Sequence, residues 1–153
     1  MKPTVVLSPV AGTAVAMNDV PDVVFARSMV GPGMAVDPDP GAGGTVVAPV
    51  SGTMIKMHPH AFVLQGDDGR VVLVHLGIDT VQLRGAGFEL LVAEGDHVDA
   101  AAPVVRWDPA AVAAGGRSAV CPVVALEALP EAITFLVAPG DAVRPGDPLL
   151  QWG

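Results

Sequence analysis

The chain has 153 residues, a single cysteine, no tyrosine and a formal net charge of −8 from 16 Asp and Glu against 8 Lys and Arg. That length bounds one domain, residues 1–153, whose core needs neither disulfide nor metal, and the few scattered cations exclude a nucleic-acid role resting on phosphate neutralisation. Mean hydropathy is +0.53, yet the apolar residues are dispersed among Gly, Pro and Asp and nowhere form the ~20-residue run of a membrane-spanning helix. The opening MKPTVVLSPVAGTAV has too brief an apolar stretch, broken by prolines, for a signal peptide. Cys121 has no partner for an internal bridge and reads as a packing residue of a cytoplasmic protein.

In chain order, SPVAGTAVAM (8–17) is a turn leading into a strand, and GPGMAVDPDPGAGG, up to Gly44, reads as a surface loop from Pro32 onward. APVSGTMIKM (48–57) then repeats the first element, sharing Pro, Val, Gly, Thr and Met in register. A second repeat joins EGDHVDAAAPVVRW (94–107) to PGDAVRPGDPLLQW (139–152), each a tight Gly-Asp turn before a strand. Between them, Asp108 caps a helical turn over Pro109–Ala114 that stops at Gly115-Gly116. Two interleaved copies of one β unit, short strands and frequent turn signals predict an all-β protein: a compact antiparallel β-sandwich or barrel-sandwich hybrid with an internal duplication and minimal helix.

The segment HAFVLQGDDGRVVLVH predicts a β-hairpin with its turn at Gly66-Asp67-Asp68-Gly69. A turn centred between Asp67 and Asp68 sets His60 directly opposite His75, whereas an Asp68-Gly69 turn makes them diagonal neighbours on one face. Two converging imidazoles suit phosphoryl transfer, metal ligation or general acid–base work, and equally fit a hydrogen-bonded pair without chemistry.

The segments PDVVFARSMVGPGMAVDP (21–38), VAPVSGTMIKM (47–57), HAF (60–62), VHLGIDTVQL (74–83), GFELLVAEGD (87–96) and CPVVALE (121–127) resemble the glucose-type IIA proteins of the bacterial phosphoenolpyruvate:sugar phosphotransferase system. That resemblance implies a β-sandwich with a duplicated hybrid motif and a cytoplasmic phosphoryl carrier, with His75 the phosphorylated residue and His60 its partner. It implies HPr as donor and the cysteine of a IIB domain as acceptor, with regulatory protein targets in some relatives. It implies no cofactor beyond the phosphoryl group; zinc at His60 and His75 is not required. An apolar docking rim would comprise Val23, Val24, Phe25, Met29, Val30, Phe62 and Val81, with Asp22 and Asp79 meeting partner arginines. Each apolar member equally fits ordinary core. Gly77 would let backbone approach His75, and a monomer is expected, since one face must serve successive partners. The family often carries polar residues such as Thr-Asn before H-A-F, where this chain has Met57-His58-Pro59.

Two rivals come from other classes. His58-x-His60 with His75-x-x-x-Asp79 offers ligands for a zinc hydrolase of the lysostaphin-like endopeptidase type, although those enzymes place H-x-H after H-x-x-x-D and only His97 follows here. A biotinyl or lipoyl carrier shares the A-P-V-S-G-T and E-G-D vocabulary, but its acceptor lysine is missing, so the likeness is architectural.

Overall fold

A computed structural model describes residues 2–153. Its strands are β1 (Thr4–Leu7), β2 (Gly12–Ala16), β3 (Gly33–Pro38), β4 (Thr45–Val47), β5 (Gly52–His58), β6 (Ala61–Gly66), β7 (Val71–His75), β8 (Phe88–Leu90), β9 (His97–Val98), β10 (Pro103–Trp107), β11 (Cys121–Ala125), β12 (Ile133–Phe135), β13 (Ala142–Val143) and β14 (Pro148–Trp152). They form an eight-stranded sheet in the order β13-β2-β3-β11-β7-β6-β5-β9 and two three-stranded sheets, β1-β14-β12 and β4-β10-β8. Every described pairing is antiparallel. One apolar core draws Val36, Phe62 and Val74 from the large sheet, Val6 and Leu150 from one small sheet, and Val46 and Trp107 from the other.

The duplication is physical. Leu7 N–H donates to Pro49 O and Val47 N–H to Pro9 O, both at 2.9 Å, so the strands entering the two repeats clasp each other reciprocally. β13 pairs with β2 as β9 pairs with β5. In the Gly-Asp turns, Asp96 accepts from Ala93 N–H at 2.9 Å and Asp141 from Ala138 N–H at 2.8 Å, which satisfies the turn backbone locally. Gly12 and Gly52 carry the same constraint: a Cβ there would lie 2.0 Å from Asp37 O and 2.1 Å from Gln65 O, respectively. The repeated glycines exist because a neighbouring strand's carbonyl occupies the side-chain position.

Two expectations change. The segment from Pro32 to Gly44 is not one loop, because Gly33–Pro38 is a strand between β2 and β11. Met34, Ala35 and Val36 are buried, and a Cβ at Gly33 would collide with Val123 O; its glycine marks close strand approach rather than a turn. The loop is confined to residues 39–44. Pro109–Ala114 is helical with Asp108 capping Ala111 N–H at 3.1 Å, as expected, but a second helix precedes it. We label Val23–Ala26 α1 and Pro109–Ala114 α2. Asp22 initiates α1 by accepting from Val24 N–H at 2.9 Å and Phe25 N–H at 3.4 Å, an N-cap that makes one helical turn viable.

Gly52→Ala should lower unfolding free energy by about 3 kcal/mol in urea titrations, while Gly41→Ala, whose nearest neighbour atom would be 3.6 Å away, should stay within about 0.5 kcal/mol of the parent.

Candidate functional site

β7 alternates cleanly. Val72 and Val74 point into the main core, whereas Leu73 packs on a second cluster containing Met17, Val20, Phe25, Ile78 and Val124. Period-two geometry puts His75 on the Leu73 face, where its ring meets that of Phe25 at 5.4 Å between centroids. α1 thus serves as the wall of the histidine site.

The hairpin forms, but in neither expected register. Ala61, not His60, pairs with His75, and Gln65 pairs with Val71. Gly66 N–H donates to Arg70 O at 2.7 Å and Gly69 N–H to Gly66 O at 2.9 Å, with Gly69 at φ +89°. The connection is therefore a three-residue loop closed by a left-handed glycine. In a regular strand this register would send His60 and His75 to opposite faces. His60 escapes because it lies outside β6, in the two-residue turn Pro59-His60 between His58 and Ala61. Its carbonyl accepts from Leu76 N–H at 2.7 Å, and its ring meets His75 edge-on at 5.3 Å, 70° between planes. The rings converge by a turn.

His75 Nδ1–H donates to Gly77 O at 2.5 Å. Gly77 adopts φ +78°, and a Cβ there would lie 2.7 Å from Thr80 Cγ2 and 3.0 Å from Ser118 O. Ile78 N–H bonds Ser118 O at 2.9 Å, and the buried Thr80 hydroxyl bonds Leu76 O at 2.7 Å. This pinned loop holds the carbonyl on Nδ1, so Nε2 carries the lone pair. Burial lowers the His75 pKa, opposed by the Gly77 carbonyl and by Asp22 and Asp79. Burial also lowers that of His60, helped by charge repulsion from His75 and His58. Both shifts favour the neutral ring.

Of the residues expected at the rim, Val23, Val24, Met29 and Val81 are exposed, Met29 at 66%, on α1, the segment after it and the 3₁₀ turn Thr80–Leu83. Val30 is half-buried. Phe25 is buried at 8% and lines the wall rather than the open rim. Phe62 does not belong to the rim at all. It is 1% exposed, because as the partner of Val74 it points into the main core. Asp22 spends a carboxylate oxygen on its cap, while Asp79 stands exposed at φ +60° without a side-chain capping bond. A residue whose part the sequence did not resolve is His58: its ring stacks on His60 at 5.8 Å, 28° between planes.

The family model described as phosphoenolpyruvate-dependent sugar phosphotransferase system, EIIA 1, matches residues 4–130. The chain belongs to this family. It is 38% identical over 125 residues to a glucose-specific EIIA component from Staphylococcus aureus, covering 80% of this chain and 74% of that one. It is 40% identical over 147 residues to an N-acetylglucosamine-specific EIICBA component from Klebsiella pneumoniae, covering 95% of this chain and 22% of that longer protein. A solved glucose permease IIA from Mycoplasma capricolum superposes with a TM-score of 0.87 at 33% identity, covering 99% of this chain and 96% of that one. The β-sandwich of these EIIA proteins is the fold of this chain. Nothing supports the zinc-hydrolase reading: among the described residues no three His, Cys, Asp or Glu are grouped to hold a metal ion. None of the described helices is long and apolar enough to cross a membrane.

Phe62→Ala should cost about 3–5 kcal/mol in urea unfolding, and Val81→Ala at most about 0.5 kcal/mol, separating core from rim. In NMR titrations His75 and His60 should both protonate below the ordinary histidine value of about 6.5. His75→Gln should raise the His60 midpoint without fully restoring it, since burial is the larger cause. Folded rings that bind protons less readily than unfolded ones stabilise the fold fully above that ordinary value, and the contribution is lost as pH falls below it.

Proposed function

We propose that this chain is a phosphoryl carrier in which His75 Nε2 attacks the phosphorus of a phosphohistidine on HPr and then yields the group to a cysteine of a IIB domain. In the first step the Nε2–P bond forms as the donor's N–P bond breaks. In the second a thiolate sulfur takes the phosphorus and the electron pair of the N–P bond returns to Nε2, restoring neutral imidazole. The observation that carries the reading is the Nδ1–H contact to Gly77 O, which leaves Nε2 as the nucleophile. Lowered basicity keeps that lone pair free of a proton at cytoplasmic pH.

His60 sits beside the acceptor as a hydrogen-bond donor to the phosphate oxygens. Positioning and charge stabilisation are the main demands of phosphoryl transfer. Val23, Val24, Met29 and Val81 form an apolar collar that excludes water from the phosphoimidazole and gives each partner a docking surface. The exposed Asp79 and the overall negative charge favour partners with a basic face. The proposed site of action is the cytoplasm, with the imported sugar chosen by the downstream permease.

Incubation with phosphoenolpyruvate, enzyme I and HPr should add one phosphoryl group, about 80 Da, by intact mass, and the label should be acid-labile. His75→Gln should abolish it. His60→Gln should still accept the group but pass it to the IIB cysteine about 10²–10³-fold more slowly, the loss typical of one charge-stabilising donor. Wild-type protein that stays unmodified would refute the carrier reading.

A further inference from the structure

His60 is held differently from His75. The His75 ring has a hydrogen bond to a pinned carbonyl, whereas the His60 ring meets two other rings, the edge of His75 and the face of His58. Its backbone is well fixed: Pro59 sets φ at the first turn position, Leu76 N–H ties down the His60 carbonyl, and His58 pairs with Ala61 as the last residue of β5. The torsions of the side chain remain to be restrained. An imidazole on a turn rotates about χ1 and χ2 unless something packs against it.

We infer that His58 is a positioning residue for phosphoryl transfer: its ring, stacked on His60, holds the His60 imidazole against His75 in the orientation needed to donate to the phosphate. The proposal rests on the reading of His75 as phosphoryl acceptor and adds to it a third ring that touches neither acceptor nor phosphate. At 5.8 Å and 28° the pair has the offset-stacked geometry that aromatic rings prefer. Being exposed, His58 contributes little to the core, so its ring is free to serve orientation.

The stack carries a pH consequence. The titratable groups bearing on His60 are His58 on β5 and His75 on β7; those bearing on His75 are Asp22 at the start of α1 and Asp79 before the 3₁₀ turn. A proton on His58 repels one on His60. Removing His58 therefore raises the proton affinity of His60.

The test compares wild type with His58→Ala and His58→Phe. Single-turnover transfer from phospho-His75 to a IIB cysteine should slow about tenfold in His58→Ala, the upper range of one aromatic pair. His58→Phe, which keeps the stack and removes the ionisable ring, should recover to within about threefold. By NMR, His58→Ala should lose the ring-current shifts of the His60 protons and raise the His60 titration midpoint; His58→Phe should keep the shifts but also raise the midpoint. Unchanged His60 ring shifts in His58→Ala, or transfer equal to wild type, would overturn the proposal. The NMR arm decides it even if wild type takes up no phosphate, an outcome that would count against the carrier reading instead.

Discussion

The site depends on β7 being buried on both faces by different things. Inward, Val72 and Val74 belong to the core shared by all three sheets. Outward, Leu73 leans on the smaller cluster beneath α1, and His75 follows it by simple alternation. A histidine at the end of a strand so constrained has little freedom to move. Its burial beside Phe25 depresses its basicity, and the left-handed Gly77, two residues on, turns its carbonyl back onto Nδ1. Packing, protonation state and tautomer are thus one consequence of where the strand ends.

The duplication gives this arrangement its frame. The clasps Leu7 to Pro49 and Val47 to Pro9 lock the strands entering the two repeats together, and Gly12 and Gly52 let adjacent strand carbonyls approach where side chains would stand. Within the eight-stranded sheet, β7 lies between β6 and β11, away from either edge. The two copies are unequal in function. The site belongs to the turn following β5, where the second copy continues into Pro59-His60, while the corresponding end of β2 runs into a 3₁₀ turn, Met17–Asp19, that contributes Met17 to the outer cluster.

Charge is distributed to match. Asp22 and Asp79 raise the proton affinity of His75 against burial, and both stand at the starts of short helical turns. Asp22 is engaged in capping α1, so its presence has a structural cause as well as an electrostatic effect. Asp79 has no comparable bond. Its left-handed backbone, a conformation that Asp tolerates better than most residues, keeps the carboxylate at the surface next to Val81.

Much of this was legible in the residues themselves. The repeated P-V-x-G-T and G-D-x-V elements specify turn and strand by local chemistry, Asp108-Pro109 and Gly115-Gly116 bracket a helix by capping rules, and the motifs around His60 and His75 identify the two rings. Local signals failed where tertiary packing reassigned them. Gly33 and Pro38 look like loop punctuation, but Met34–Val36 are buried between two strands, and burial outweighs local propensity. Val23–Ala26 is too short to show helical periodicity and exists because Asp22 caps it and Phe25 finds a pocket. Phe62 reads equally well as rim or core, and only the parity of the β6–β7 pairing decides. The same parity depended on one residue of loop length in Gly66–Arg70, which backbone hydrogen bonding settled. Composition and motif determined that two histidines meet on a β scaffold; the turn at Pro59-His60, the carbonyl of Gly77 and the stacked ring of His58 determined how, because ring orientation is fixed by backbone torsions and by the register between strands, which the order of residues does not specify.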